Sequence, residues 1–353
     1  MKVKYLIVGQ GIAGTLLSYQ LHKRRQSFFI VDKGLQKACS RAGSGLINPI
    51  TGRRFTVSWM FEELFRKARN TYSEMGQFLG TQILYEHPVL NVFYDRGQAG
   101  KWKEKMNDPG FAELVGKPTK KFNDNGLLKD AVHTAQVNSS LHIDISNLII
   151  YYRSWLLKNN RLKIGEFSLN DVIYNPNGFY SWADIEFEKI IFCGGAADSR
   201  LQHFQHLPFK LSKGQAFIAE LEEKVPDFII KGKAFVLPIK ASGLYWIGAH
   251  NNWSFDDDFP DTEAKDILSK KLTGTLNIGF QFLEPRVGIR PATKDRRPLL
   301  GRHPKLTHLY IFNGLGTKGA SWAPYWSEVM AEYLQMDDFE IPEEVNISRF
   351  HAS

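Results

Sequence analysis

Lys4-Tyr5-Leu6-Ile7-Val8-Gly9-Gln10-Gly11-Ile12-Ala13-Gly14 decides the fold. An apolar run leads straight into Gly-x-Gly-x-x-Gly, and a helical pattern follows at once through Leu16, Leu17, Tyr19, Gln20 and Leu21. A second apolar run, Phe28-Phe29-Ile30-Val31, ends in Asp32, 18 residues after Gly14. Strand, glycine turn, helix, strand and acid are the parts of a dinucleotide-binding βαβ unit, in order. Gly9 permits the tight turn, Gly11 lets the backbone approach a pyrophosphate, and Gly14 lets the helix pack on the strand. Ile12 and Ala13 open the helix, whose N–H groups and positive dipole end suit phosphates. Asp32 can accept from ribose hydroxyls, and an acid there disfavours a 2′-phosphate.

Beyond Asp32, the loop Cys39 to Pro49 is rich in small residues, as needed where backbone lies against a flat ligand. A helix is expected from about Val57 to Leu79, short strands and turns over 80–135, and a helix from Ile145 to Lys158 with Leu148, Ile149, Tyr152, Trp155 and Leu156 on one face. Val172-Ile173-Tyr174 and Gly178 to Trp182 flank Asn175-Pro176-Asn177 as a hairpin signal. Glu188 to Cys193 is a buried-strand signature ending in Gly194-Gly195. Strands at 233–238 and 244–249 and a helix near Thr262 to Thr273 follow. Leu309 to Asn313 is a third strand into a glycine loop, Gly314 to Gly319, before a helix from about Ala323 to Leu334. The expected architecture is α/β: a Rossmann-like nucleotide domain of residues 1–80, 140–205 and 290–353, and a substrate domain of 81–139 and 206–289 built on a mostly antiparallel sheet.

The chain has 353 residues, 43% of them apolar and 23% charged, ordinary for a globular enzyme. It has no apolar run of transmembrane length, and the basic start, Lys2 and Lys4, precedes too short an apolar stretch for a signal peptide. A cytoplasmic location is therefore expected. Cys39 and Cys193 have no disulfide or metal-type spacing, so no metal site is expected. The net charge of +8 raises an anionic partner, but the basic residues are scattered, with short clusters at Lys23-Arg24-Arg25, Lys120-Lys121 and Arg296-Arg297.

The stretch Gly288-Ile289-Arg290-Pro291-Ala292-Thr293-Lys294-Asp295-Arg296-Arg297-Pro298-Leu299-Leu300-Gly301-Arg302-His303-Pro304 resembles a late motif of glycine oxidases. Over its whole length the chain is similar to FAD-dependent amine and amino-acid oxidoreductases of the D-amino-acid oxidase superfamily. Three glycine-ended strands suit the long FAD better than NAD. The resemblance implies non-covalent FAD held by Gly9, Gly11, Ile12, Ala13, Gly14, Asp32, Lys33, Ser40, Arg41, Gly45, Leu46, Gly194, Gly195, Gly314, Gly316, Thr317, Lys318 and Gly319. It implies that Arg290 grips a substrate carboxylate; beside it, Lys318, from its place in the third glycine loop, and His250, from the strand after Gly248, are further catalytic candidates near the flavin. The substrate would be an amino acid or N-substituted glycine, oxidised at its C–N bond to an imine that hydrolyses.

Departures from the glycine oxidase pattern are Phe235 in place of a tyrosine, and Trp246 near where sarcosine oxidases place a lysine. Neither cysteine lies near Arg290 in sequence, so the covalent flavin link of sarcosine oxidases has no counterpart. Asp295 reads as a turn-orienting acid and His303 as an exposed turn residue. Two other readings stand beside this one. The first is a tRNA wobble-uridine oxidase that removes a carboxymethyl group. The second is a flavin-binding protein without catalysis, which has no evident need of Arg290.

Overall fold

The computed structural model describes residues 1–35, 38–120, 126–239 and 242–350; Lys121, of the second basic cluster, lies outside them. Among these residues six strands form one sheet, in the order Leu162–Ile164, Phe28–Asp32, Tyr5–Val8, Lys189–Phe192, Leu309–Asn313 and Leu299–Arg302. The first five are parallel and the last is antiparallel at the edge. The two-residue repeat of a strand sorts the side chains to two faces. Tyr5, Ile7, Phe28, Ile30, Ile191, Tyr310 and Phe312 join one core with helices Ile12–Lys23, Phe61–Leu79, Ile145–Lys158 and Gly319–Tyr333. Leu6, Phe29, Val31, Ile190, Phe192, Leu309 and Ile311 join another with Trp182, Ile185 and Phe187, from a small antiparallel sheet of Ile173–Tyr174, Tyr180–Trp182 and Ile185–Phe187. Both faces are covered, which is why these strands read as unbroken apolar runs. Parallel pairing also brings the ends of Tyr5–Val8, Lys189–Phe192 and Leu309–Asn313 to one edge, each followed by its glycines.

Four helices differ from expectation. The long helix begins at Phe61, because Thr56–Val57 pairs as a strand with Ile50–Thr51 and Met60 turns left-handed at φ 49°. The last helix reaches back to Gly319 with Pro324 inside it. Pro324 has no N–H to give the carbonyl of Ala320 four residues before it, and the Tyr72 hydroxyl donates to that carbonyl instead, at 2.8 Å. Residues 80–135 hold two helices, Arg96–Lys105 and Pro109–Leu114, started by Asp95 and Asp108, whose carboxylates accept from the N–H of Gln98 (2.7 Å) and Gly110 (3.0 Å).

The second sheet has the order Phe280–Thr293, Phe209–Leu221, Leu244–Asn252, Phe235–Ile239, Ile229–Lys231, Val89–Phe93 and His133–Val137. All pairs are antiparallel except Ile229–Lys231 with Val89–Phe93. One face packs Leu90, Val92, Val236, Tyr245 and Ile247 with Leu272 of helix Thr262–Thr273. The other carries Ala216, Ile218, Leu237 and Trp246, with Phe235 packed against them.

Candidate active site

Between the glycine edge of the parallel sheet and this second face lies a cleft of about 1920 Å³. Pockets for drug-sized ligands measure roughly 300–1,000 Å³, so the cleft has room for a dinucleotide and a substrate together. Its wall contains Gly9, Gly11, Ile12, Ala13, Asp32, Lys33, Ser40, Gly45, Leu46, Gly194, Gly195, Gly316, Thr317, Lys318, Gly319 and Arg290. Gly14, Arg41, Gly314 and His250 are not in it. Gly14 supports the wall from behind: a Cβ there would stand 1.9 Å from the carbonyl oxygen of Gly9. Arg41 turns away to Ser146 Oγ (3.4 Å) and the Leu35 carbonyl (3.5 Å). Gly314 packs under Leu299. In strand Leu244–Asn252 it is Asn251, not the expected His250, that lines the cleft.

At the nucleotide end Gly9 has φ 104° and an added Cβ would sit 2.7 Å from the Cys193 carbonyl oxygen, so only glycine fits. Gly11 precedes a helix with no acid in its first turn and no side-chain cap from its own N-cap residue. The Ile12 N–H donates to Ser40 Oγ at 3.0 Å. One Asp32 oxygen accepts from the Gln10 N–H (2.8 Å), the other from Gly34 N–H (2.9 Å) and Arg153 (2.7 Å). A carboxylate offers about four acceptor positions, so Asp32 keeps capacity for a ribose. Arg153, which also donates to Gln10 Oε1 at 2.7 Å, was not foreseen from the sequence. It comes from the helix that packs beneath the first turn.

Midway, Asp198 ties two glycine ends together. Its Oδ2 accepts from the Gly194 N–H and from Asn313 Nδ2, both at 2.8 Å. Asn313 also donates to the Gly195 carbonyl (2.9 Å) and accepts from the Gly314 N–H (2.8 Å). Burial pushes the Asp198 carboxyl up to about 7, outweighing the hydrogen bonds that favour its anion.

At the far end Arg290, on strand Phe280–Thr293, faces Ser212 across the pairing. Its guanidinium lies flat over Gly214, where an added Cβ would come within 2.1 Å of Cζ. It donates to Asn251 Oδ1. Among the described residues no carboxylate pairs with it. Burial therefore weighs against its charge, with a small opposing effect from the Cys39 thiol. Cys39, far away in sequence, thus lies beside Arg290 and against Gly288, which corrects the expectation that no cysteine lies in this region. Burial raises the Cys39 thiol above its usual range, and Arg290 only partly offsets this. The loop is held there by Trp246, whose Nε1–H donates to the Ala42 carbonyl at 3.1 Å.

Lys318 donates to Ser58 Oγ at 3.2 Å, and burial pushes it down to about 8. A second cleft lysine, Lys231, donates to the Ile50 carbonyl at 2.9 Å and is also pushed down to about 8, first by burial and then by Lys318. Asp295 orients its turn, accepting from the Arg297 N–H (3.1 Å) and Arg349 (2.9 Å). His303 is buried rather than exposed, its Nδ1 accepting from the N–H of Lys305 and Leu306.

The chain fits FAD along this whole edge: a first turn with no Cβ at Gly9 or Gly11, an acid with acceptor capacity left at Asp32, and three glycine ends in one wall. Residues 4–333 match the model of the DAO family, FAD dependent oxidoreductase. The chain is 31% identical over 375 residues to the tRNA 5-methylaminomethyl-2-thiouridine biosynthesis bifunctional protein MnmC of Marinobacter nauticus, covering 93% of this chain and 55% of that protein. It thus spans about half the length of this relative. Among solved structures it is similar to glycine oxidase from Geobacillus kaustophilus (TM-score 0.81, 18% identity, 98% of each chain). It is also similar to iminodiacetate oxidase from Chelativorans sp. BNC1 (TM-score 0.78, 20% identity, 97% of this chain and 98% of that one).

Proposed function

The chain belongs to the DAO family of FAD-dependent oxidoreductases, and on that premise we propose that it oxidises the C–N bond of an amino acid or N-substituted glycine. The observation that carries this reading is Arg290: a cleft-facing guanidinium, backed by Gly214, steadied by Asn251 and matched by no acid of the protein among the described residues. A planar fork of this kind grips a carboxylate in two places and fixes its orientation. FAD, when bound, supplies the acceptor for the hydride that leaves Cα. The protein's part is to hold the carboxylate at Arg290 and exclude water with Trp246 and Phe235. The amine must be neutral for its nitrogen lone pair to form the C=N bond as the hydride departs. The imine then takes up water and gives a carbonyl compound and an amine.

Lys318 stands in the wall at the third glycine loop, where its positive charge favours an electron-rich cofactor edge. The cofactor-binding residues proposed are those of the cleft wall, with Gly14, Gly314 and Arg41 supporting it. The domain division at about 80, 140, 205 and 290 is kept as part of this reading. A second reading, a carboxymethylamino group presented on tRNA, is supported by the relative of 31% identity named for tRNA modification and by the net charge of +8. Arg290 serves either substrate.

The test is anaerobic bleaching of the flavin across a panel of amino acids, N-substituted glycines, carboxylate-free amines and unmodified or carboxymethylaminomethylated tRNA. Arg290→Ala should raise the half-saturating concentration roughly 30- to 4,000-fold, the equivalent of about 2–5 kcal/mol, with FAD content unchanged. Equal reduction by wild type and Arg290→Ala at all concentrations would remove the carboxylate-bearing substrate class.

A further inference from the structure

Lys231 has no role in the chemistry just described, yet it sits in the same cleft wall as Arg290. The strand Ile229–Lys231 ends at it, opposite Phe235, which in turn lies opposite Gly248. Its ammonium is part-buried and meets one protein acceptor, the Ile50 carbonyl; among the described residues no carboxylate pairs with it. The other cation beside it is Lys318, which makes its position less favourable still. A part-buried ammonium is normally matched by an anion. Among the described residues six acids line the cleft and none of them pairs with Lys231: Asp32 and Asp198 belong to the glycine edge, Glu166 follows strand Leu162–Ile164, and Asp256, Asp257 and Asp258 lie after strand Leu244–Asn252, where Asp257 is held by Lys213 at 2.9 Å. Arg53, three residues beyond Ile50, is an exposed cation of the same wall.

The spacing sets the size of the missing anion. The Arg290 guanidinium rests on Gly214, three strands from Lys231 in the sheet order. At about 4.8 Å per strand, and about 3.3 Å per residue for the two-residue offset between Gly214 and Ala216, which is level with Lys231, the two anchoring backbones are roughly 16 Å apart, and the lysine arm shortens that gap. A small molecule with an acid at each end spans such a distance, whereas a monoacid held at Arg290 leaves Lys231 unmatched.

We propose that Lys231 binds a second acidic group of the substrate, so that the preferred substrates are N-substituted glycines whose nitrogen substituent itself carries a carboxylate. This rests on the reading of Arg290 as the first carboxylate anchor.

The experiment uses the FAD-loaded enzyme and two inert analogues, thiodiacetate with two acids and (methylthio)acetate with one, titrated by the perturbation of flavin absorbance. Sarcosine and iminodiacetate are compared in parallel as reductants. In wild type the diacid should bind more tightly than the monoacid. Lys231→Met should weaken thiodiacetate by about 30-fold or more and leave (methylthio)acetate within a factor of about two, and Lys231→Arg should restore part of the diacid affinity. If Lys231→Met yields no folded protein, Lys231→Gln is read in the same way. Equal weakening of both analogues, equal slowing of sarcosine and iminodiacetate, or no change in either would overturn the proposal. Equal slowing would place Lys231 in proton transfer or cofactor contact instead. If neither amine reduces the flavin, it is the proposed function that fails, and the inert analogues still decide Lys231 separately.

Discussion

At the scale of single residues, the site depends on two absent side chains. Gly214 gives the Arg290 guanidinium its resting surface. Gly214→Ala places a methyl 2.1 Å from Cζ, and the arginine must leave. Carboxylate affinity should fall on the order of tenfold or more, about 1.4 kcal/mol, with FAD content intact. A substrate titration of the variant checks this, and unchanged affinity would mean that the guanidinium finds its place without that surface. Gly11 is the complementary case. Its φ of −75° suits any residue, and an added Cβ meets only Ser40 Oγ, at 3.3 Å. Gly11→Val should therefore fold and melt close to the FAD-free wild type while losing FAD, because the branched side chain points to where a pyrophosphate must come. Full flavin content in purified Gly11→Val would contradict the phosphate cradle.

At the scale of elements, Asp198 and Asn313 join the end of strand Lys189–Phe192 to the end of Leu309–Asn313. The carboxyl of Asp198 is held up near 7, well above its unfolded value of 3.8. The folded protein therefore binds the extra proton between those values, and stability contributed by this group is complete below about 4. It is lost as pH rises towards 7, at up to about 1.4 kcal/mol per pH unit. Asp198→Asn is neutral throughout and should flatten that slope. Urea midpoints of the cofactor-free protein from pH 4 to 8 measure it, and parallel curves for the two proteins would refute the assignment.

Elements also show what the sequence carries openly. Helix Ile145–Lys158 was legible to the residue, because Asp144 caps it and its apolar face repeats cleanly. The capping acids Asp95 and Asp108 were equally present, but Gly97, Gly100 and Gly110 made their segments read as turns. The site was legible only in part. Arg290 and the glycine ends stand within recognisable local patterns. Lys231, Asn251, Gly214 and Arg153 owe their place to strand register and helix packing across long stretches of chain. No local pattern announces a lysine at the end of a three-residue strand.

At the scale of the whole molecule, the protein should purify yellow and release its flavin on acid precipitation. The cysteine nearest the reactive end, Cys39, is held protonated by burial and is a poor nucleophile. Colour left on the precipitated polypeptide would point to attachment there. The short helix Cys39–Ala42 has a wider consequence. It belongs to the loop proposed to hold the cofactor, yet it is bolted to the other sheet by Trp246 and by its seat on Gly288. The two halves of the molecule therefore cannot swing apart like a book without drawing that loop away from the glycine edge of the parallel sheet. Loading the cofactor and assembling the carboxylate grip become one event: amide exchange along Phe280–Thr293 should slow when FAD is added, although that strand holds none of the three glycine turns. An empty enzyme would then be blind to its substrate as well as colourless.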